Sequence, residues 1–369
     1  MDPVVAIRAV PVDVPGRGSS WTVVGLDGLP LWDAEVFLNY LRTVRASPNT
    51  VRTYARHLAL LFRWLHLRGA WWETLDFETL CLFVQDLGDG TVPVRRPAAE
   101  RIPRRRAAVE GVLSAVISFL TYWRAEGRGP QDLRLYEDAR MSRKSTHAFL
   151  AHIEQQRQAR KRRIQVRGEK APPPRTISFE DDFRKLLAAA RTLRDRTLLS
   201  ALYDGGLRIG QALGLRHEDL NIARKQLSVV RREDNANGAL SKQPATFTID
   251  IHPRFFEFYG TYLVDEQLAA GIDSDYVFVN LDQRFLGRPM SYANAVQVVQ
   301  RIGARAGIQL TPHTLRHTHG TMLARQDWTA PQIAKRLGQS HPSSADVYIH
   351  LVEDDISEKF LATIGRSNA

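Results

Sequence analysis

Apolar residues return every three or four positions over most of the chain, which predicts a mainly helical molecule. Trp32, Val36, Phe37, Tyr40 and Leu41 mark one amphipathic helix. Ser47-Pro48-Asn49-Thr50 starts a second, on which Val51, Tyr54, Leu58, Leu61, Phe62 and Leu65 share a face until Gly69 ends it. Residues 71–87 predict an apolar helix pair with Trp71 and Trp72 in its core, and Val109, Leu113, Val116, Ile117, Leu120 and Trp123 a helix over 107–124. Further on, helices are predicted over 179–191, 194–203, 208–215, 253–268, 292–306, 313–324, 331–337, 344–350 and 356–364. The pattern switches to alternation at 227–230 and 245–251, predicting two strands joined by the loop Asn235-Ala236-Asn237-Gly238. Ahead of all this, residues 1–30 read as an arm with a short hairpin around Asp27-Gly28.

The breaks divide the chain. Gly127-Arg128-Gly129-Pro130 and Ala171-Pro172-Pro173-Pro174 bound a basic linker over 127–175, leaving a helical domain at 31–126 and a mixed domain at 176–369. A chain of 369 residues has room for two or three cores. At 44% hydrophobic and 25% charged it has the composition of an ordinary soluble protein. Its single cysteine, Cys81, lies in an apolar run and reads as a small buried hydrophobe. A single cysteine fits a reducing cytoplasm, and there is no leader-like or spanning apolar segment.

Charge changes the picture. A formal net charge of +11 and a pI near 10.0 call for a polyanionic partner, without separating DNA from RNA or an acidic membrane surface. The polar face of the second helix carries Arg52, Arg56, His57, Arg63 and His66; Arg104 and Arg105 follow in a loop, and Arg160, Lys161, Arg162 and Arg163 form a run in the linker. Each reads either as a solvated face or as phosphate contacts, the linker run as a strap along the backbone.

Candidate chemistry gathers in Thr311-Pro312-His313-Thr314-Leu315-Arg316-His317-Thr318-His319-Gly320. Pro312 suits the first turn of a helix, and three-residue spacing puts His313 and Arg316 on one face. An imidazole exchanges protons and a guanidinium grips two phosphate oxygens, a pairing suited to a phosphodiester. His313 and His317 also have metal-ligand spacing, but no Glu lies between them and no later ligand follows at a recognisable offset, so no metal is expected.

Upstream lies Tyr203-Asp204-Gly205-Gly206-Leu207-Arg208-Ile209-Gly210; downstream come Leu337-Gly338-Gln339-Ser340-His341-Pro342 and Asp346-Val347-Tyr348-Ile349-His350. This succession resembles the tyrosine recombinase (phage integrase) family from about residue 176 to the C-terminus, and the transposon-encoded members more faintly. The resemblance implies a helical core-binding domain followed by a mixed α/β catalytic domain with a small antiparallel sheet. It makes Arg208 and Arg316 the clamp on the scissile phosphate, Lys242 the proton donor to the leaving oxygen, His313 the proton acceptor or relay and Tyr348 the nucleophile. Cations around Tyr348 are expected to lower its pKa. Gln339 stands where His or Trp is usual, with His341 as an auxiliary. The implied activity is site-specific cutting and rejoining of double-stranded DNA through a 3′-phosphotyrosine, with no cofactor. Implied partners are a DNA target site, further copies of the chain in a dimer or tetramer, and helper recombination proteins. Two other readings stand beside it: a DNA-binding accessory protein without chemistry, and a type IB-like topoisomerase.

Overall fold

The computed structural model describes residues 6–14, 18–92, 103–138, 160–166, 172–178, 181–232, 235–239 and 246–353. The chain divides into two compact units, Met1–Ala171 and Pro172–Ala369.

In the first unit, antiparallel strands β1 (Arg8–Val14) and β2 (Gly18–Val24) precede helices α1 (Trp32–Thr43), α2 (Pro48–Leu67), α3 (Phe77–Gly88) and α4 (Arg106–Ala125). Ser47 caps α2 by accepting the Thr50 N–H, and Pro48 fills its first position, as the Ser-Pro signal requires. The helix packs against α1, α4 and both strands. Its apolar surface therefore widens until Leu61 through Leu65 are all buried. The hairpin expected at Asp27-Gly28 is displaced. Pairing runs from Arg8↔Val24 to Val14↔Gly18, while residues 25–29 make a tight turn leading into α1. Ile7 and Val23 join the helical core, so described residues of the expected arm contribute to it. Trp72 is fully buried, but Trp71 is 42% exposed. Cys81 is only half-buried, at the core's edge.

Part of the expected linker is also folded into this unit. Strand β3 (Tyr136–Asp138) pairs with β4 (Arg160–Arg162), and Leu133, Leu135, Ile164 and Val166 enter the core. Alternating apolar residues after the basic run drive this burial.

The second unit opens with α5 (Asp181–Ala189), α6 (Leu193–Tyr203) and α7 (Ile209–Leu213). A three-stranded antiparallel sheet follows, β5 (Leu220–Asn221), β6 (Gln226–Val229) and β7 (Phe247–Asp250), in the order β5-β6-β7. Then come α8 (Arg254–Tyr262), α9 (Tyr292–Ala306), α10 (Pro312–Arg325), α11 (Ala330–Arg336) and a helix α12 over 346–353. The predicted helix over 253–268 breaks up after Tyr262 into a π turn, Leu263–Gln267. That turn places the Glu266 carboxylate on the N–H groups of Leu193 and Arg194, capping α6 from outside its own sequence. The predicted helix over 356–364 lies outside the described residues. The units are thus mainly α with small antiparallel sheets, as expected.

Candidate active site

Three chain segments meet around one buried guanidinium. The first is the turn between α6 and α7. Gly206 has φ +59°, and a Cβ there would lie 2.7 Å from both His319 and Leu337, so only glycine fits. Beyond the turn, Gln211 reaches back to accept the Arg208 N–H at 2.8 Å, fixing Arg208 at the helix start.

The second is α10. Thr311 caps it by accepting the Thr314 N–H, with Pro312 next in line. Arg316, one turn in, is 3% exposed. It donates Nη1–H to the Gly206 carbonyl at 2.7 Å and Nη2–H to the Leu337 carbonyl at 2.9 Å. Arg208 reaches the adjacent Gly338 carbonyl at 3.4 Å. Both cations thus take up carbonyls left over where α11 ends. Burial, then the charge of Arg208, push Arg316 down to about 9, still protonated at neutral pH. Arg208 is lowered too, by burial.

The third is α12, carrying Tyr348. This tyrosine is 1% exposed. Its ring lies on Gly320, where a Cβ would come within 2.7 Å of two ring carbons, and beside His317, with ring centroids 5.7 Å apart. The charges of Arg316 and Arg208 act on the hydroxyl, with Gln339 beside it. Even so, the phenol is raised above its ordinary value, because burial outweighs the arginines. The expected net lowering is therefore not present in the chain by itself.

The histidines divide differently from expectation. His313 is exposed on the first turn of α10, its ring 6.2 Å from that of His317. It is His317 that adjoins Tyr348. Burial and the charges of His313 and Arg316 push His317 down to about 4. His319, 4% exposed against the Gly206 turn, is pushed to about 3 by burial and by Arg336 and Arg316. Both are neutral at pH 7. The buried Gln339 Oε1 has no hydrogen-bond partner among the described residues. His341 stands exposed, its carbonyl accepting the Ser344 N–H. Lys242 lies outside the described residues.

Arg336 completes the arrangement from α11. It donates to the carbonyls of Asp204 (3.3 Å), Gly205 (3.4 Å) and Asp250 (2.8 Å). The turn bearing Arg208 is thereby tied to the end of β7. His317, His319, Gly320 and Arg336 had no assigned catalytic part in the sequence. For Gly320 the signal was present, since it follows Arg316 by four residues on the same helical face.

The basic residues of the first unit are equally varied. Arg52 and Arg56 are exposed on α2, and Arg105 is exposed at the start of α4. Arg63, expected on the same open face, is 7% exposed and turns its Nε–H back to the Ala59 carbonyl. The packing of α2 on several sides removes its polar face at that level. Arg104 is half-buried. Arg162 donates to Ser114 Oγ, and Arg163 pairs with Glu137 and covers the Phe77 ring. Arg160 and Lys161 lie in β4, within a paired strand.

Known proteins share this organisation. The model of the phage integrase family matches residues 179–354, and that of the phage integrase N-terminal SAM-like domain matches 34–127. Transposase A from transposon Tn554 of Staphylococcus aureus is 32% identical over 333 residues, 88% of each chain. The chain belongs to the phage integrase family, the tyrosine recombinases. The tyrosine recombinase XerD of Lacticaseibacillus casei is 24% identical over 318 residues, 85% of this chain and 92% of its own. Among solved structures, the XerH site-specific recombinase bound to a palindromic difH substrate has a TM-score of 0.59 at 16% identity, covering 90% of this chain and 85% of XerH. The Tn1549 transposon integrase in complex with transposon right end DNA gives 0.58 at 14%, covering 85% and 93%. At these identities the likeness is one of fold. As a tyrosine recombinase the protein is a DNA strand-transfer enzyme.

Proposed function

We propose that this recombinase cuts and rejoins double-stranded DNA at a specific site, using Tyr348 as its nucleophile, in the integration, excision or transposition of a mobile element. The observation that carries the reading is that buried Tyr348, its ring seated on Gly320, lies within the field of buried Arg316 and of Arg208. The phenol oxygen attacks phosphorus, the bond to the 5′ oxygen breaks, and that oxygen leaves as a hydroxyl once protonated. A 3′-phosphotyrosine remains, and a 5′ hydroxyl attacking it rejoins the strand and frees the tyrosine. Bond energy is kept in the covalent intermediate, so neither ATP nor another cofactor takes part.

Arg208 and Arg316 balance the charge of the five-coordinate phosphorus. Their carbonyl partners hold both guanidiniums in place before the substrate arrives. A phosphate arriving beside them adds the anionic counter-charge that the site by itself has only as carbonyl dipoles. His313, on the open turn, takes or relays the nucleophile's proton, Gln339 donates through its amide to a phosphate oxygen, and His341 is an auxiliary donor. Lys242 protonates the leaving oxygen by resemblance alone. The helical segment 31–126 grips one side of the duplex, 127–175 connects it, and 176–369 carries the chemistry. Two or four copies act on one pair of sites, with helper recombination proteins as further partners, in the bacterial cytoplasm at the nucleoid.

Incubation with a nicked duplex bearing the element's end should trap a protein–DNA adduct that Tyr348→Phe abolishes. An adduct surviving that substitution would sink the assignment. Binding without any adduct from the wild type would instead favour an accessory protein, and relaxation of a plasmid lacking a site a topoisomerase.

A further inference from the structure

The N-terminal hairpin precedes the segment matched by the SAM-like domain model, yet it is built into the first unit. Strand β2 is fastened to α1 by Arg42, which donates to Ser20 Oγ at 2.8 Å and to the Trp21 carbonyl at 2.7 Å. Thr22 adds a hydrogen bond to Glu35, itself paired with Arg42. On the other side the half-buried Trp21 ring meets α2. The guanidinium carbons of Arg52 and Arg56 lie over that ring, 5.2 Å and 5.1 Å from its centroid.

These two arginines differ from their neighbours in what they pair with. Arg42, Arg68, Arg106, Arg128 and Arg163 each have a carboxylate partner. Arg52 and Arg56 have the indole and, among the described residues, no carboxylate. A carboxylate cancels the charge of a guanidinium and occupies its fork. An aromatic face orients the group and leaves both the charge and the N–H edge available. Two like charges one helical turn apart repel, a cost tolerated where an anion is to be bound.

We propose that the hairpin is a working part of the DNA-binding surface: Trp21 is a positioning residue that holds Arg52 and Arg56 ready for phosphates of the duplex backbone. This rests on the reading of the chain as a DNA recombinase. An indole that fixes two long side chains beforehand removes rotamer entropy otherwise lost on binding. The contacts are to phosphate, so they carry affinity and register rather than sequence choice.

The test is equilibrium binding of the full chain to a mixed-sequence duplex over a range of salt. Removing one cation from a phosphate lowers the slope of log K against log salt by about 0.9, so Arg52→Ala with Arg56→Ala should lower it by about 1.8. Trp21→Leu, which keeps an apolar group against α2 but removes the π face, should weaken binding by roughly threefold to tenfold. Trp21→Phe should recover most of that loss. A melting curve on each variant separates loss of orientation from loss of fold, and Trp21→Phe with the double arginine variant carries the test should Trp21→Leu misfold. A double arginine variant with wild-type slope and affinity overturns the phosphate contact. Wild-type binding by Trp21→Leu overturns the positioning role. Failure of the wild-type protein to bind any duplex overturns instead the underlying reading.

Discussion

Two sets of arginines, one in each unit, are handled in opposite ways. In the first, four guanidiniums sit near water and are matched by acidic side chains or by an aromatic ring: Arg106 with Glu110, Arg68 with Asp86 and over Trp64, Arg52 and Arg56 over Trp21. In the second, Arg316 is sunk below the surface with half-buried Arg208 beside it, and both bond to main-chain carbonyls. Exposed charges are screened and interchangeable, which suits holding a polyanion at many points. Buried charges facing only dipoles keep their field for a group that arrives in the pocket, which suits a transition state. Under the proposed function the same side chain serves grip in one place and chemistry in another, and burial with its partners sets which.

The widest gap should open on Arg316→Ala. Adduct formation on a nicked site should fall by about 10³-fold, the scale of losing a buried stabiliser of developing charge. Salt-dependent binding to duplex should stay near wild type. Parallel losses of binding and cleavage would erase the distinction between the units.

Acid should find the second unit first. His317 and His319 have folded values near 4 and 3, depressed from 6.5. A depressed value means the unfolded chain takes up protons first, so their neutral forms leave stability intact above about pH 6.5 and withdraw it as pH falls toward 4 and below. Melting between pH 7 and 4 should show an early loss on the order of 2–3 kcal/mol, drawn chiefly from fully buried His319. His319→Gln should flatten that profile. An unchanged slope would mean that His319 has water or another partner to receive its charge.

Gly320→Ala comes next. A methyl group in the berth of the Tyr348 ring should cost roughly 1–3 kcal/mol by overpacking and slow adduct formation by displacing the nucleophile. Wild-type stability and rate together would show that the ring does not rest there when DNA is bound. The smallest effect belongs to the first unit: Arg106→Ala, removing a half-exposed pair with Glu110, should shift stability by about 0.5 kcal/mol or less. Thermal melting reads it, and a loss several times larger would show that surface pairs here count as much as buried ones.

Much of this architecture is written locally. Helix starts at Ser47, Thr311 and Thr329 follow from a side-chain oxygen or a nearby glutamine meeting free N–H groups, with proline behind. The period of apolar residues then sets length, as in α9, where the predicted 292–306 is what forms. The motifs brought Arg208, Arg316 and Tyr348 forward because residue type, spacing and order are all properties of a string. Against that, the hairpin of β1 and β2 was read one turn too late. Asp27-Gly28 looks like a hairpin signal, but the register of a two-stranded ribbon is fixed by what its apolar face packs on, here α2 and the core around Val23.

The chain's order of residues by itself determined most of the helices and the basic character and put forward the candidate reacting groups, since each depends on neighbours a few positions away or on a simple sum. Only the tertiary structure decided which cations are exposed and which are buried, that Arg63 would turn inward while Arg52 and Arg56 face an indole, and that Tyr348 would sit on Gly320 with a raised rather than a lowered pKa. Those outcomes depend on how much water and how many dipoles surround each group. That is a property of segments more than a hundred residues apart, such as Gly206 and Arg316, once they come together.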